Sequence, residues 1–162
     1  MSTPDVAACA QCSWLALEHA YPTPGTYAHH VDRRTCVGIV LHAEGRLRSI
    51  TGGRETTHRL LPGMVGFVPA DQSRHTVLVS TDAPTSAFLV LIPLESLENL
   101  ASAESIAVDP PEAMAFVDPV VQGLMSRLRS LSAAGQTDPS TAGLVRQLLL
   151  RVSERLTGRR PR

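Results

Sequence analysis

The sequence predicts a mainly β fold, a sandwich or small barrel, followed by two amphipathic helices. Short apolar runs separated by turn residues dominate from about residue 12 to 93. Beyond residue 112 the apolar residues recur every three or four positions, which is the helical period. A parallel α/β sheet is disfavoured because no long crossover helix separates the short runs. We therefore expect one barrel-like body with helices after it.

The predicted strands are rich in apolar and β-branched residues and are bounded by Gly, Pro and Asp. They are SWLAL (13–17), TCVGIVLHA (35–43), RLRSIT (46–51), THRLL (57–61), MVGFVP (64–69), HTVLVS (75–80) and SAFLVLIP (86–93). The breaks between them, such as PTPG, PADQS and TDAPT, have turn chemistry. TGG at 51–53 is the strongest hairpin turn.

The segment LESLENLA (94–101) is predicted as a short helix or turn, and two longer helices follow. The first covers 112–133 and opens near Pro110 or Pro111. The second covers about 139–157, with Thr137 or Asp138 as its cap and Pro139 in its first turn. Its apolar stripe is Leu144, Leu148, Val152 and Leu156. The stripe must be buried against the preceding helix, the barrel or another subunit, and we predict a homodimer seam.

Composition bounds the class of protein. Hydrophobic residues make up 43% of the 162 residues and charged residues 19%, as in globular domains. The net charge is zero, so no overall field draws the chain to DNA or to an anionic membrane. No apolar run reaches the roughly 20 residues of a membrane helix, and no secretory signal is visible. We expect a cytoplasmic protein without a membrane partner.

Three cysteines, Cys9, Cys12 and Cys36, are too few and odd in number for a disulfide framework. Cys9 and Cys12 form one CxxC motif, but no second ligand pair follows at zinc spacing. The motif is consistent with incidental small residues, with a thiol sensor or with part of a metal site.

The segments YAHHVDRR, VGIVLHAEGRLR and LLPGMVGFVPADQSRHTV, between residues 27 and 77, resemble the cupin family of double-stranded β-helix (jelly-roll) barrels. More specifically, they resemble the N-terminal sensing domain of AraC-type transcription regulators. The resemblance implies a cupin-like sensing barrel with an N-terminal arm over 1–101. It also implies a helical dimerisation segment over 102–162, ending in the basic GRRPR.

The metal ligands of cupin enzymes are not reproduced in this sequence. Only His30, Asp32 and His75 remain near the family's ligand positions, Gly38 stands where a glutamate is expected, and His75 falls one residue late. Because strand side chains alternate between faces, a slip of one residue can turn His75 away from the barrel interior. We predict no metal and no cofactor.

The resemblance instead implies a small organic effector in the barrel. Gly38 is placed inward by the resemblance, so alternation puts Val40 and His42 on the same inner face. The predicted ligand-binding residues are His42, Val40, His75, Trp14, His30 and Arg74. Four of them have a structural alternative: His42 at an exposed strand end, His75 in a turn or exposed, Trp14 in the core and Arg74 on the surface.

The leading functional hypothesis is the effector-binding and dimerisation domain of an AraC-type regulator, without enzymatic activity. DNA would be contacted only through a domain absent from this chain, since neither helix has the paired layout and basic reading face of a helix-turn-helix. The alternatives are a metal-dependent cupin enzyme, such as a dioxygenase or isomerase, and a structural dimerisation module with a filled barrel. The sequence contains no GxSxG motif and no Gly-rich phosphate loop.

Overall fold

The computed structural model describes residues 7–8, 14–30, 34–51, 53–68, 76–93, 114–135 and 139–157. Within these ranges the chain forms ten β-strands and two α-helices. The strands are β1 (Ala7–Ala8), β2 (Leu15–Tyr21), β3 (Gly25–His30), β4 (Arg34–Val40), β5 (Gly45–Thr51), β6 (Arg54–Leu60), β7 (Val65–Val68), β8 (Thr76–Thr81), β9 (Thr85–Pro93) and β10 (Met114–Phe116). The helices are α1 (Pro119–Ala133) and α2 (Pro139–Thr157).

The described strands form two antiparallel sheets that face each other. Sheet A has the order β1-β2-β9-β4-β7-β10, and sheet B has the order β3-β8-β5-β6. The chain crosses between the sheets from β2 to β3, β4 to β5, β6 to β7 and β8 to β9, and these four short connections lie at one end of the barrel. The mainly β fold with two C-terminal helices is thereby confirmed.

Two of the predicted turns are made possible by glycine. Gly53, in the predicted TGG turn between β5 and β6, has a φ of +79°. Gly63, after Pro62 in the β6–β7 turn, has a φ of +81°. A side chain with a Cβ atom is strained at such positive φ, so glycine is the residue that both turns favour.

Sheet A is buried on both faces, and each face contributes to a different cluster. The outer face packs against the two helices through Val37, Val65, Phe88 and Val90 of the sheet and Val121, Met125, Leu128 and Leu148 of the helices. The inner face meets sheet B in a smaller cluster of Leu47, Leu60 and Val68, joined by Cys36, Val79 and Ala115. Sheet A is therefore the only layer between the barrel interior and the helices within the described part of the chain.

The first predicted helix begins later than its spacing indicates. Residues Met114–Phe116 form β10, which pairs with β7, and the helix begins only at Pro119. The prediction of a helix over 112–133 is therefore wrong for its first turns. Because β10 completes the barrel sheet from beyond residue 101, the predicted boundary after residue 101 leaves one barrel strand on the helical side.

Asp118 connects the beginning of α1 with the last turns of α2. Its buried carboxylate caps α1 by accepting from the amides of Val120 (2.9 Å) and Val121 (3.2 Å). It also pairs with the guanidinium groups of Arg151 (3.0 Å) and Arg155 (3.2 Å). The cap and the ion pairs together hold the beginning of α1 against the last turns of α2.

Helix α2 includes Pro139 in its first turn, as predicted. The predicted helix or turn at 94–101, the opening at Pro110 or Pro111 and the caps at Thr137 or Asp138 lie outside the described residues. So do the cysteines of the CxxC motif. No helix in the described ranges is long and apolar enough to span a membrane.

Candidate ligand site in the barrel interior

The barrel interior is lined by alternate residues of both sheets. On sheet B the register aligns Leu47 of β5 with His58 of β6 and with Val79 of β8. Because Leu47 and Val79 belong to the inner cluster, His58 lies on the same inward face. The same alternation turns Ser49 and Thr81 inward, and both are buried. The interior therefore combines leucine and valine walls with hydroxyl and imidazole groups.

The middle of the interior is closely filled. Gly38 and Gly66 are neighbours on β4 and β7, and both face inward. A Cβ atom at Gly38 would lie 2.7 Å from Cδ2 of Leu89, and one at Gly66 would lie 3.8 Å from Cδ2 of Leu60. Leucine side chains therefore occupy the space that these glycines leave, and polar groups lie on either side of this apolar layer.

An aromatic row crosses the interior at the end where the four short connections lie. The rings of His19 and Tyr21 are 4.7 Å apart, and those of Tyr21 and Tyr27 are 5.0 Å apart, both edge to face. The Tyr27 hydroxyl donates to the carbonyl oxygen of Thr23 at 2.5 Å, which fixes its ring against the β2–β3 turn. Since Tyr21 lies in sheet A and Tyr27 in sheet B, the row joins the two sheets.

Burial favours the uncharged forms of three titratable groups of the interior, Cys36, Tyr21 and His19. Burial raises the pKa of the Cys36 thiol to about 12. Burial also raises the pKa of the Tyr21 phenol, and the Cys36 thiol and Tyr27 phenol raise it further. Burial lowers the pKa of His19, which favours its neutral imidazole. The interior therefore offers hydrogen bonds without charge at these positions.

Two buried polar atoms on the inner face of sheet B have no hydrogen-bond partner in the structure: Nε2 of His58 and Oγ1 of Thr81. A buried polar atom without a partner costs about 1–3 kcal/mol relative to one that is satisfied. Most buried polar side-chain atoms are satisfied, so such atoms are informative. A third such atom in the described residues, Nε1 of Trp14, lies in the cluster between sheet A and the helices. The two atoms on the inner face of sheet B make that face the candidate ligand site.

Two predicted ligand-binding residues lie elsewhere. β4 ends at Val40, and His42 lies in the following bend with its side chain exposed, so the predicted inward position of His42 is wrong. Trp14 is buried, but in the cluster between sheet A and the helices, so its predicted place beside the ligand is also corrected. The alternation of side chains between the two faces of β4 does not extend to His42, because the strand ends two residues before it.

The structure describes the other four predicted ligand-binding residues only in part or not at all. His75 and Arg74 lie outside the described residues. For His30 and Val40 the structure describes the backbone alone. His30 of β3 pairs with Thr76, and Val40 of β4 pairs with Ala87. Their roles stay predictions.

The stripe of α2 is buried within a single copy of the chain. Leu144, Leu148 and Val152 are 5%, 0% and 1% exposed, and they pack in the cluster between the helices and sheet A. This corrects their assignment to a dimer seam, because their own chain already covers them. The side chain of Leu156 lies outside the description, and the homodimer itself stays a prediction.

Sequence reasoning missed His58 and Thr81. The segment RETTHRL has an alternating pattern in which Thr56, His58 and Leu60 share a face, and Leu60 is the apolar residue that marks that face as inward.

Within the described ranges, no three His, Cys, Asp or Glu side chains are grouped as metal ligands.

Known structures resemble this fold although the sequence is distant. No protein-family model matches the chain, and no curated protein matches its sequence at a significant level. Apo ToxT K231A from Vibrio cholerae strain SCE256 superposes with a TM-score of 0.63 at 10% identity, covering 88% of this chain and 56% of that chain. ToxT from Vibrio cholerae O395 gives a TM-score of 0.61 at 8% identity, covering 88% and 55%. Vicilin from tomato gives 0.46 at 8% identity, covering 67% and 27%.

The chain thus spans little more than half of the ToxT chains that it matches. ToxT is an AraC-family regulator, and the matched part is its N-terminal domain. At this level of identity the likeness establishes the fold, a cupin-like barrel followed by two helices.

Proposed function

We propose that this chain is the effector-binding domain of an AraC-type transcription regulator and that it senses a small organic molecule in the barrel interior. The observation that carries the proposal is the pair of unpartnered buried atoms, His58 Nε2 and Thr81 Oγ1, inside the barrel. A ligand that hydrogen-bonds to them would remove an energetic cost that the free protein bears. The shared fold with the N-terminal domain of ToxT is consistent with this role.

A ligand in the interior has a short physical route to the helices. Leu89 fills the interior over Gly38, while its neighbours Phe88 and Val90 pack on the helix side of the same strand. A shift of β9 by a ligand therefore moves both faces of sheet A together. The ligand would act through its different affinities for two positions of the helices.

The partners follow from the same proposal. The domain forms a homodimer, and the whole regulator contacts DNA through a separate DNA-binding domain. Because Leu144, Leu148 and Val152 are covered internally, the dimer would use another face of the molecule. The barrel binds its effector without catalysing a reaction on it.

Native mass spectrometry combined with elemental analysis tests the binding role. After incubation with a small-molecule extract of the expressing cells, we expect one organic molecule for each chain and no stoichiometric transition metal. The denatured protein serves as the control, because it should release the molecule. Stoichiometric iron, manganese, nickel or zinc without an organic ligand would contradict the proposal and favour the metal-dependent enzyme.

A further inference from the structure

We propose that Arg155 and β10 form a releasable clasp, which ties the last turn of α2 to the barrel and opens when the barrel interior changes. The clasp is the set of contacts that Arg155 makes with Phe116, Val117 and Asp118. Three features carry the proposal: the contacts that meet at one side chain, the exposure of that side chain, and the position of β10 between the interior and the helices. The proposal rests on the proposed function, to which it adds a regulatory device.

Arg155 contacts three consecutive residues between the end of β10 and the beginning of α1. Its guanidinium lies 3.2 Å from the carboxylate of Asp118 and donates to the carbonyl oxygen of Val117 at 3.1 Å. Its Cζ atom also lies over the ring of Phe116, 5.9 Å from the ring centroid. An ion pair, a hydrogen bond and a cation–π contact therefore hold one guanidinium group. Arg155 belongs to the last turn of α2, so these contacts fix the end of the helix.

The clasp can open without opening the core. The side chain of Arg155 is 46% exposed, and exposed ion pairs and cation–π contacts are individually weak. Asp118 keeps a partner when Arg155 leaves, because Arg151 pairs with the same carboxylate oxygen at 3.0 Å. Val152, the last buried residue of α2 whose side chain is described, lies before Arg155 and is 1% exposed. The last turn can therefore detach while the preceding turns stay packed.

β10 connects the barrel interior with the clasp. Because side chains alternate along a strand, its neighbours Ala115 and Phe116 take opposite faces of sheet A. Ala115 packs against the inner cluster of Leu47, Leu60 and Val68, whereas Phe116 packs against the cluster on the helix side. A displacement of Ala115 therefore moves the ring that contacts the guanidinium.

β10 is also lightly held. Within the described ranges it has three residues and lies at the edge of sheet A, where it pairs with β7. A short edge strand has few hydrogen bonds to lose when it moves. In the proposed regulator the DNA-binding domain follows α2, so opening the clasp loosens that domain relative to the barrel.

Arg155→Ala tests whether the clasp holds the last turn of α2. Amide hydrogen exchange of the free chain is followed by NMR and converted to protection factors. We expect the protection factors over 154–157 to fall at least fivefold and those over 144–152 to stay at their wild-type values. Alanine is a stronger helix former than arginine, so a fall reports the lost clasp rather than helix propensity. Unchanged protection over 154–157, or an equal fall along the whole of α2, would overturn the proposal.

Arg146→Ala is the matched control. It also removes an exposed arginine from α2, but nine residues before Arg155, which is about 13 Å along the helix. It should leave the protection factors over 154–157 unchanged. A fall as large as that of Arg155→Ala would contradict the clasp, because the loss of any positive charge from α2 would then loosen its end.

Ala115→Val tests the connection through β10. The added methyl groups crowd the inner cluster and should displace the strand, so protection over 154–157 should fall at least threefold. The same substitution in the Arg155→Ala background should cause no further fall, because the clasp is already open. Ala115→Ser is the smaller change, with the same expectations, if the valine variant does not fold. No fall in the wild-type background, or equal falls in both backgrounds, would show that β10 does not control the clasp.

These outcomes differ from those that test the proposed function. If the protein retains an organic effector but Arg155→Ala leaves α2 unchanged, the barrel is a sensor and the clasp is wrong. If the variants behave as expected but no effector is found, the clasp stands and the sensing role is wrong.

Discussion

Leu148→Ala is expected to lower the free energy of unfolding by about 2–5 kcal/mol. Leu148 is fully buried between α2, α1 and sheet A, so truncation removes apolar contacts and leaves a cavity. Alanine is itself a strong helix former, and the loss therefore reports packing rather than helix propensity. Urea unfolding followed by circular dichroism measures the change.

The same variant distinguishes a core stripe from a dimer seam. If the stripe is core, the loss is the same at low and high protein concentration. Gln147→Ala, at the neighbouring exposed position, is the control and should change stability by less than about 0.5 kcal/mol. A loss for Leu148→Ala that disappears at low protein concentration would show that the side chain stabilises a dimer instead.

Asp118→Ala is expected to cost about 2–4 kcal/mol at neutral pH, since it removes both the helix cap and the charge-assisted hydrogen bond to Arg151. Asp118→Asn isolates the charge, because asparagine still caps the helix. Glu18→Gln provides the control: Glu18 forms an exposed pair with Arg129, and its loss should cost less than about 1 kcal/mol. If Asp118→Asn were as stable as the wild type at pH 7, the ion pairs would contribute nothing.

The contribution of Asp118 should depend on pH in a defined direction. Burial alone would raise the pKa of this carboxyl, but hydrogen bonds from Val121, Arg151 and Val120 lower it below its ordinary value. The folded protein therefore binds this proton more weakly than the unfolded chain does. The stabilisation is present above the ordinary pKa and is lost as the pH falls through the folded value. The difference between wild type and Asp118→Asn should accordingly shrink in acid.

Strands that are rich in apolar residues could be predicted from the sequence. Strands without an apolar pattern, which form by pairing with another strand, could not. β9 and β4 are rich in Val, Ile and Leu, and both form at the predicted place in the chain, although β4 ends at Val40 and not at the predicted residue 43. β3, with the sequence GTYAHH, has no apolar alternation and forms by pairing with β8. The apolar residues of β10 continue the three- or four-residue spacing of the helix that follows, which predicts a helix. The segment forms a strand instead because it pairs with β7.

The candidate site was harder to predict than the fold. Which side chains of a strand point inward depends on where the strand begins and ends. His42 was predicted to point into the interior, but β4 ends two residues before it and His42 lies in an exposed bend. His58 and Thr81 stand out only once burial and hydrogen bonds are known, because neither belongs to a motif. Leu144, Leu148 and Val152 were correctly predicted to be buried, but a stripe does not reveal which surface covers it.

Amide hydrogen exchange tests most directly whether occupancy of the interior reaches the helices. It would be measured with and without the organic ligand that native mass spectrometry recovers. We predict slower exchange in β5, β6 and β8 and, in addition, a change in exchange along α2, from 139 to 157. Slower exchange in those strands with no change in either α1 or α2 would contradict the account, because the ligand would then bind without acting on the helices.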